Sequence, residues 1–409
     1  MYVKSRFVKM KQFGKWGLFC PKFWKSVASF QSPCGARGLV LDVSHLAATG
    51  RNKTRSSIKA RTSVSVGRAF MSTTTSSPHI PVMSEEVMEY LQPQGSQVFL
   101  DLTFGAGGHS QCILESSPNV RLIGLDRDPT AYRYAKELQK KYPERVIPLL
   151  GKFSDIPTLF QRLKIEKNSI DGILMDLGVS SMQFDNAERG FMLSKNGPLD
   201  MRMDCGRDPQ QLSASDILMH INEDNLYKVL KCFGEEKNAR KIARALIESR
   251  YLLKRFKTTQ ELAEFVFSLS GEDYKSDKLG RPSHPATKTF QAIRILVNNE
   301  LNELDFALRI AHYFLKPRGV LVAISFHSLE DSIIKRHLTG SEMDSSPSTI
   351  GGGVRKHRTS VSTYTSDEMD ILMRKPWLPI NKHVVLPSEE EVEYNPRARS
   401  AKLRAAVKA

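Results

Sequence analysis

Val98-Phe99-Leu100-Asp101-Leu102-Thr103-Phe104-Gly105-Ala106-Gly107-Gly108-His109-Ser110 is the stretch whose reading decides the fold. A short apolar run, Val98–Leu100, meets a glycine-rich turn, and a helical pattern starts near His109. Glycine lets a chain turn tightly and lets backbone approach a ligand closely. The N-terminus of the following helix offers free N–H groups. The spacing is neither GxGxxG nor a phosphate-binding loop ending in Gly-Lys-Ser/Thr. A tight turn uses glycine in any case, so this stretch alone does not name a ligand.

Working outward, Arg121–Leu125 reads as a second strand ending at Asp126, roughly 20 residues beyond the turn, where a carboxylate can bind ribose hydroxyls. Asp126 at that place could equally serve only to cap the helix that opens at Asp128-Pro129. A helix is expected over Pro129–Tyr142, strands over Val146–Leu150 and Ile170–Met175, and Asp176 closes the latter. Strand–helix alternation at this pitch implies βαβ units and a parallel sheet with helices on both faces. Upstream, Ser84-Glu85-Glu86-Val87 opens a helix towards Leu91, with Ser84 as the cap. Downstream the pattern turns helical: Ser215–His220, Glu223–Cys232, Ala239–Tyr251 and Thr259–Leu269. One long helix is then expected over Thr287–Phe314, a fifth strand over Gly319–Ser325, and a loop over Ser341–Thr363. Lys382–Leu386 and Ala401–Val407 are expected to close the sheet as an antiparallel pair.

The chain has 409 residues and a formal charge of +16, with 40% hydrophobic residues. Residues 1–78 hold 14 Lys/Arg against one acid, Asp42, so this segment carries +13 of that charge. It is rich in Ser, Thr and Arg, poor in acids, and studded with aromatics. That is the composition of a mitochondrial transit peptide, and it places the protein in the mitochondrial matrix. The other reading of such a segment is a basic arm that binds RNA directly. No run approaches the roughly 20 apolar residues of a membrane span, so no membrane anchor is expected. The five cysteines, Cys20, Cys34, Cys112, Cys205 and Cys232, form no CxxC pair or zinc spacing, and no bound metal is expected.

The glycine-rich turn and the strand-end Asp126 together point to an adenosine-containing ligand on a Rossmann-like sheet. They do not separate a nicotinamide cofactor from a methyl donor. Asp176-Leu177-Gly178-Val179-Ser180-Ser181 after the fourth strand does more. In amino-methyltransferases an acid or amide at that place holds the target nitrogen beside the donor. Asp176 read alone could equally be a strand-end cap.

These motifs, in this order, resemble the bacterial MraW/RsmH-type methyltransferases, which modify N4 of a cytidine in the decoding region of small-subunit ribosomal RNA. The resemblance runs from about Pro81 to Arg404. It is carried by Thr103–Ser110 (TFGAGGHS), Asp126–Pro129 (DRDP), Asp171–Ser181 (DGILMDLGVSS), Glu188–Phe191 (ERGF) and Gly197–Asp204 (GPLDMRMD). It continues through His284–Phe290 (HPATKTF), Gln291–Glu300 (QAIRILVNNE), Ser325–Asp331 (SFHSLED) and Asn395–Arg404 (NPRARSAKLR). It implies an α/β fold: a class I Rossmann-like methyltransferase sheet with helices on both faces and an inserted helical domain. The division expected is a leader at 1–78, the methyltransferase domain at 79–205 and 285–409, and an RNA-recognising helical insertion at 206–284.

The resemblance implies S-adenosyl-L-methionine as cofactor, contacted at Gly107, Gly108, His109, Asp126, Phe153, Asp176 and Gln183. Asp176 would accept a hydrogen bond from the target amine, with Ser180 and Ser181 shaping the pocket. RNA contacts would fall to Arg189, Arg202, Arg240, Arg244, Arg294, Arg397 and Arg399. His327 stands as a base or, more simply, as a strand-end hydrogen bond. Two departures stand out: the family's Ser-Ser-Pro-Gln is Ser180-Ser181-Met182-Gln183, which loosens the loop, and its Gly-Arg-Gly-Gly is Gly105-Ala106-Gly107-Gly108. Joined to the leader, the resemblance implies methylation of mitochondrial small-subunit (12S) ribosomal RNA, free or in a pre-ribosomal particle. The alternative is a ribosome-assembly factor that keeps the fold without turnover. A C5-methylating mechanism would need a cysteine nucleophile, and no Pro-Cys or Thr-Cys motif follows the fourth strand.

Overall fold

The computed structural model describes residues 80–251, 255–270, 275–276, 282–340 and 375–409. The leader expected at 1–78 and the loop expected at 341–363 lie outside the described residues. In chain order, α1 (Ser84–Leu91) precedes β1 (Val98–Asp101), α2 (Gly108–Ser116), β2 (Arg121–Asp126), α3 (Pro129–Lys141) and β3 (Val146–Leu150). Next come α4 (Ile156–Leu163), β4 (Ile170–Asp176) and a short α5 (Ser181–Asp185). Four helices follow: α6 (Ala214–His220), α7 (Glu223–Cys232), α8 (Ala239–Tyr251) and α9 (Thr259–Ser270). The chain then returns through α10 (Thr287–Asn298), α11 (Glu300–Phe314), β5 (Leu315–Ser325), α12 (Ser328–Thr339), β6 (Trp377–Pro379), α13 (Glu389–Tyr394) and β7 (Lys402–Lys408).

The seven strands lie in the order β3-β2-β1-β4-β5-β7-β6. The pairs β2–β3, β1–β2, β1–β4 and β4–β5 are parallel, while β5–β7 and β7–β6 are antiparallel. This is the Rossmann-like α/β sheet expected from the sequence. The strand order reverses between β1 and β4, and in open α/β sheets the crevice outside the strands' carboxyl ends at that point is where ligands bind.

Period-2 alternation sorts the side chains into two cores. Leu100, Ile123, Leu125, Ile173 and Met175 point to one face, where they meet α4, α10, α11 and the apolar sides of α6–α9. Phe99, Leu122, Leu174, Val322 and Ile324 point to the other, under α1, α2, α3 and the C-terminal segment. The helices inserted after β4 therefore share one continuous core with the sheet.

Two expectations change. The long helix over Thr287–Phe314 is two helices, because Asn299 sits at φ 53°, ending α10 and starting α11. Asparagine, with aspartate, is the non-glycine residue that visits this left-handed region most readily. The adjacent Asn298 is buried and ties the break to the loop after α5: it donates to the Met201 carbonyl (2.7 Å) and accepts from the Met203 N–H (2.9 Å). At the sheet's end, Trp377–Pro379 rather than Lys382–Leu386 pairs with β7, and Val385 keeps one isolated bridge to Leu403. Trp377 is 2% exposed and meets the His312 ring edge-on at 5.3 Å, so the strand position goes to the segment with the larger apolar burial.

Candidate active site

A cleft of about 450 Å³ opens over the carboxyl ends of β1, β2 and β4. Its floor is the glycine-rich turn. Gly107 has φ 84°, and a Cβ there would lie 2.7 Å from Phe104 Cζ. The buried Phe104 ring fills the space under the turn, so the position requires glycine. Asp101, at the end of β1, is 2% exposed and accepts from the Thr103 N–H (3.0 Å) and the Ser110 hydroxyl (2.6 Å). Burial raises its pKa, against the pull of those bonds. The Thr103 hydroxyl accepts from the Asp176 N–H at 2.6 Å, joining the ends of β1 and β4.

Asp126 is placed by the β2 ladder, and its carboxylate accepts from the Gly105 N–H (2.8 Å) and the Asp128 N–H (2.8 Å). It latches the glycine-rich turn to β2 while lining the cleft. Burial pushes its pKa up to about 6, with the two backbone N–H groups pulling the other way. Asp128 takes the capping role considered for Asp126. Its side chain accepts from the Thr130 N–H at the start of α3, with Pro129 at the first helical position.

Asp128 does more than cap. It is 1% exposed and accepts from Arg189 Nη1 (2.6 Å) and Gln183 Nε2 (2.8 Å). Burial works to raise its carboxyl, but the hydrogen bond and charge of Arg189 outweigh it and the pKa is lowered. Arg189 also donates to the carbonyls of Arg202 and Met203. Arg189, expected among the RNA contacts, is therefore held inside the protein, as is Arg294, whose guanidinium meets Glu300 through two 2.9 Å bonds. Arg202 pairs with Asp200, Arg240 lies over the Tyr227 ring at 4.4 Å, and Arg244 pairs with Glu248 on the exposed face of α8.

At the foot of the cleft, His109 Nε2 lies 3.6 Å from Asp176 Oδ2, longer than a hydrogen bond. Both His109 ring nitrogens and Asp176 Oδ1 are buried without a hydrogen-bond partner among the described residues. Such orphaned polar atoms are rare in folded proteins and point to a bound group. Gly108, Phe153, Ser181 and Gln183 line the same cleft. Phe153 sits in a 3-10 turn anchored by Ser154, whose N–H and hydroxyl both donate to Glu303 (2.9 Å each).

Ser180 and Gln183 line the cleft and also carry internal bonds. The Ser180 hydroxyl caps α5 by accepting from the Gln183 N–H (3.3 Å), and Gln183 Oε1 accepts from the Ser180 N–H (3.2 Å). Gln183 Nε2 is held by Asp128 and the Met203 carbonyl (3.2 Å). Both side chains thus brace the loop from within. His327 is the cap of α12: its Nδ1 accepts from the Glu330 N–H at 3.4 Å and its Nε2 lies 3.0 Å from Glu330 Oε1. Burial works to raise the Glu330 carboxyl, but its interactions with His327, Arg294 and the Phe326 N–H together outweigh it and the pKa is lowered. Glu300, His327 and Glu330 converge closely enough to surround a cation, and Arg294 supplies one by pairing with Glu300.

Sequence reading named Arg397 and Arg399 as RNA contacts but did not place their segment as a wall of the cleft. Asn395, Arg397 and Ser400 line the cleft mouth, and Glu391 and Asn395 bind the segment before α1 through the Met83 N–H (2.6 Å) and the Ile80 carbonyl (3.2 Å). The NPRARSAKLR motif was the available signal, but nothing local to it says that it folds back over the first strand's loop.

A family model described as the MraW methylase family matches residues 76–409. The human 12S rRNA N(4)-cytidine methyltransferase METTL15 is 47% identical over 339 residues, covering 81% of this chain and 82% of that one. The ribosomal RNA small subunit methyltransferase H of Hyphomonas neptunium is 43% identical over 330 residues, covering 81% and 88%. A Culex quinquefasciatus protein named as a putative receptor-type tyrosine-protein phosphatase is 49% identical over 330 residues. There, 81% of this chain matches 22% of the longer one, so that name describes a protein most of which has no counterpart here.

Proposed function

The chain belongs to the MraW methylase family, and from that premise we propose that it methylates N4 of a cytidine in small-subunit ribosomal RNA, the 12S species of mitochondria. The observation that carries the reading is the cleft at the β1/β4 switch point with Asp176 Oδ1 and the His109 nitrogens buried and unpartnered at its foot.

The cofactor is S-adenosylmethionine, and the cleft fits it. A backbone turn stripped of side chains at Gly107 and Gly108 accepts its methionine end. A strand-end carboxylate, Asp126, with lone pairs beyond its two backbone bonds, suits ribose hydroxyls. The half-buried Phe153 ring supplies a flat apolar wall for adenine. When bound, this group supplies an electrophilic methyl on sulfur. The protein's task is placement, because the cytosine amine is a weak nucleophile whose lone pair is delocalised into the ring. Asp176 accepts a hydrogen bond from that amine, aligning its lone pair with the methyl, and its carboxylate would offset the positive charge on nitrogen as the methyl leaves sulfur and until a proton is lost to water. Ser180 and Gln183 hold the Asp176 loop in shape from inside, and Ser181 faces the target base. The helices α6–α9 flank the RNA as it enters, and the target base is splayed out of its stack to reach Asp176. The basic leader directs the protein to the mitochondrial matrix.

The test is to incubate the protein with labelled S-adenosylmethionine and small-subunit ribosomal RNA, free and in assembly intermediates, and digest the product to nucleosides. Label is expected in N4-methylcytidine, and it should vanish for Asp176→Ala while calorimetry still detects donor binding. Donor binding without label on any RNA would refute the enzymatic reading and favour an assembly factor.

A further inference from the structure

Four basic side chains line the cleft: Arg127, Lys152, Arg294 and Arg397. Three are held in place. Arg127 donates to the Asn298 carbonyl (3.0 Å), Lys152 pairs with Asp208 (3.3 Å), and Arg294 pairs with Glu300 with its side chain 18% exposed. Arg397 differs. It stands on the C-terminal wall at the cleft mouth, its side chain is 42% exposed, and it reaches across to Asp185, 43% exposed, at the end of α5. The Lys195 ammonium donates to the Asp185 carbonyl (3.2 Å), so two cations meet over the end of α5.

An ion pair this exposed contributes little and is readily exchanged, whereas breaking a buried one leaves an uncompensated charge inside the protein. Arg397 can therefore change partner where Arg189 and Arg294 cannot. A carboxylate is the protein's nearest mimic of a phosphate, and the guanidinium fork binds either through two N–H groups. A cytidine inserted base-first towards Asp176 leaves its own phosphate at the rim where Arg397 stands. Resting on the proposed RNA substrate, we infer that Arg397 anchors the backbone phosphate of the target nucleotide, and that Asp185 holds its guanidinium in the binding position until RNA displaces the carboxylate.

This assignment has a signature that a purely structural bridge lacks. If the pair only ties α5 to the C-terminal wall, removing either partner weakens the same contact and both variants move together. If Arg397 is a phosphate anchor, the two variants move RNA affinity in opposite directions. Arg397→Gln removes a phosphate contact, whereas Asp185→Asn removes the competitor and a negative charge from the rim.

The experiment measures binding of a fluorescent single-stranded RNA from the decoding region to the full chain, between 50 and 200 mM salt, for wild type, R397Q, R397K and D185N. One phosphate contact on a single strand contributes a slope of about −0.7 in log K against log salt. Wild type should therefore lose about 2.6-fold more affinity than R397Q over that fourfold range. R397K should keep the wild-type slope, and D185N should bind more tightly than wild type at 50 mM. Donor affinity and melting temperature report that each variant is folded. R397Q with the wild-type slope, or R397Q and D185N both weakening RNA binding, would overturn the assignment. Absence of methyl transfer by wild type would instead fail the functional reading itself, so the two failures are distinguishable.

Discussion

If Asp126 binds the ribose as proposed, donor binding should depend on pH in a calculable window. Its pKa in the free protein is pushed up to about 6 by burial. Ribose hydroxyls donate more strongly to a carboxylate than to a carboxylic acid, by roughly a factor of two in bond strength. Donor binding therefore favours the ionised form and expels the proton where one is present. At pH 8 about 99% of the free protein carries the carboxylate, and at pH 5 about one molecule in eleven does. In the limit where only the ionised form binds, affinity falls about elevenfold across that span, or ~1.4 kcal/mol. Affinity is present above pH 6 and lost below it. The fold responds with the opposite sense. The unfolded carboxyl ionises near 3.8, so this group's contribution to stability is fully present below that pH and is lost as pH rises through about 6. Isothermal calorimetry from pH 5 to 8 gives the affinity, and repeating it at pH 6 in buffers of different ionisation heat gives about half a proton released per donor bound. Asp126→Asn should bind weakly at every pH, with a flat profile. A constant wild-type affinity from pH 8 to 5, or an Asp126→Asn variant keeping the wild-type profile, would refute the reasoning and place the ribose elsewhere.

Arg189→Met should cost about 3–5 kcal/mol in urea denaturation, because it leaves the buried Asp128 carboxylate without its cation; adding Asp128→Asn should recover much of the loss. A stable Arg189→Met protein with weakened RNA binding would restore the RNA-contact reading. Gly107→Ala should cost about 2–4 kcal/mol by differential scanning calorimetry, from a left-handed alanine and a Cβ forced against Phe104, and donor affinity should fall with it. An unchanged melting temperature would mean that the turn rearranges freely.

Much of the architecture was legible because the parallel strands are built on short apolar runs, as buried parallel strands are expected to be, and three of them, β1, β2 and β4, end in an aspartate. Val146–Leu150 and the helices Glu223–Cys232 and Ala239–Tyr251 have the bounds expected. The break at Asn299 was not legible: the apolar spacing runs on through it, and the break depends on Asn298 reaching the carbonyl of Met201 and the N–H of Met203, nearly a hundred residues earlier. The outer strand was misplaced because a three-residue strand led by Trp377 carries no period, and only the tertiary pocket around that ring selects it. Among site residues, Gly107, Gly108, His109, Asp126, Phe153, Asp176, Ser181 and Gln183 do assemble in or around one cleft, since each follows a strand or lies in the turn after it. What their spacing could not reveal is which side chains also carry internal bonds: Ser180 and Gln183 line the cleft and brace its loop at once, whereas Arg189 is held by Asp128.

Those internal partners answer the question raised by Met182. Without the family's proline, the loop after Asp176 has more unfolded conformations to lose. The loop is nonetheless held by a reciprocal cap, Ser180 to Gln183 and back. Gln183 is in turn fixed to Asp128, and Asp128 to Arg189 and the start of α3. Asp126 makes the matching connection on the other side, from β2 to Gly105. Two aspartates two residues apart, one facing the cleft and one buried behind it, therefore hold the glycine-rich turn and the Asp176 loop to the same strand end. Because both loops are referenced to β2, a substitution at Asp128 should disturb donor and target positions together although its side chain is almost wholly buried. The neighbouring Asp126 holds the glycine-rich turn on the donor side through the Gly105 N–H. The site's geometry is set by this pairing of β2 with its two neighbouring loops, and the residues that would touch substrate inherit their positions from it.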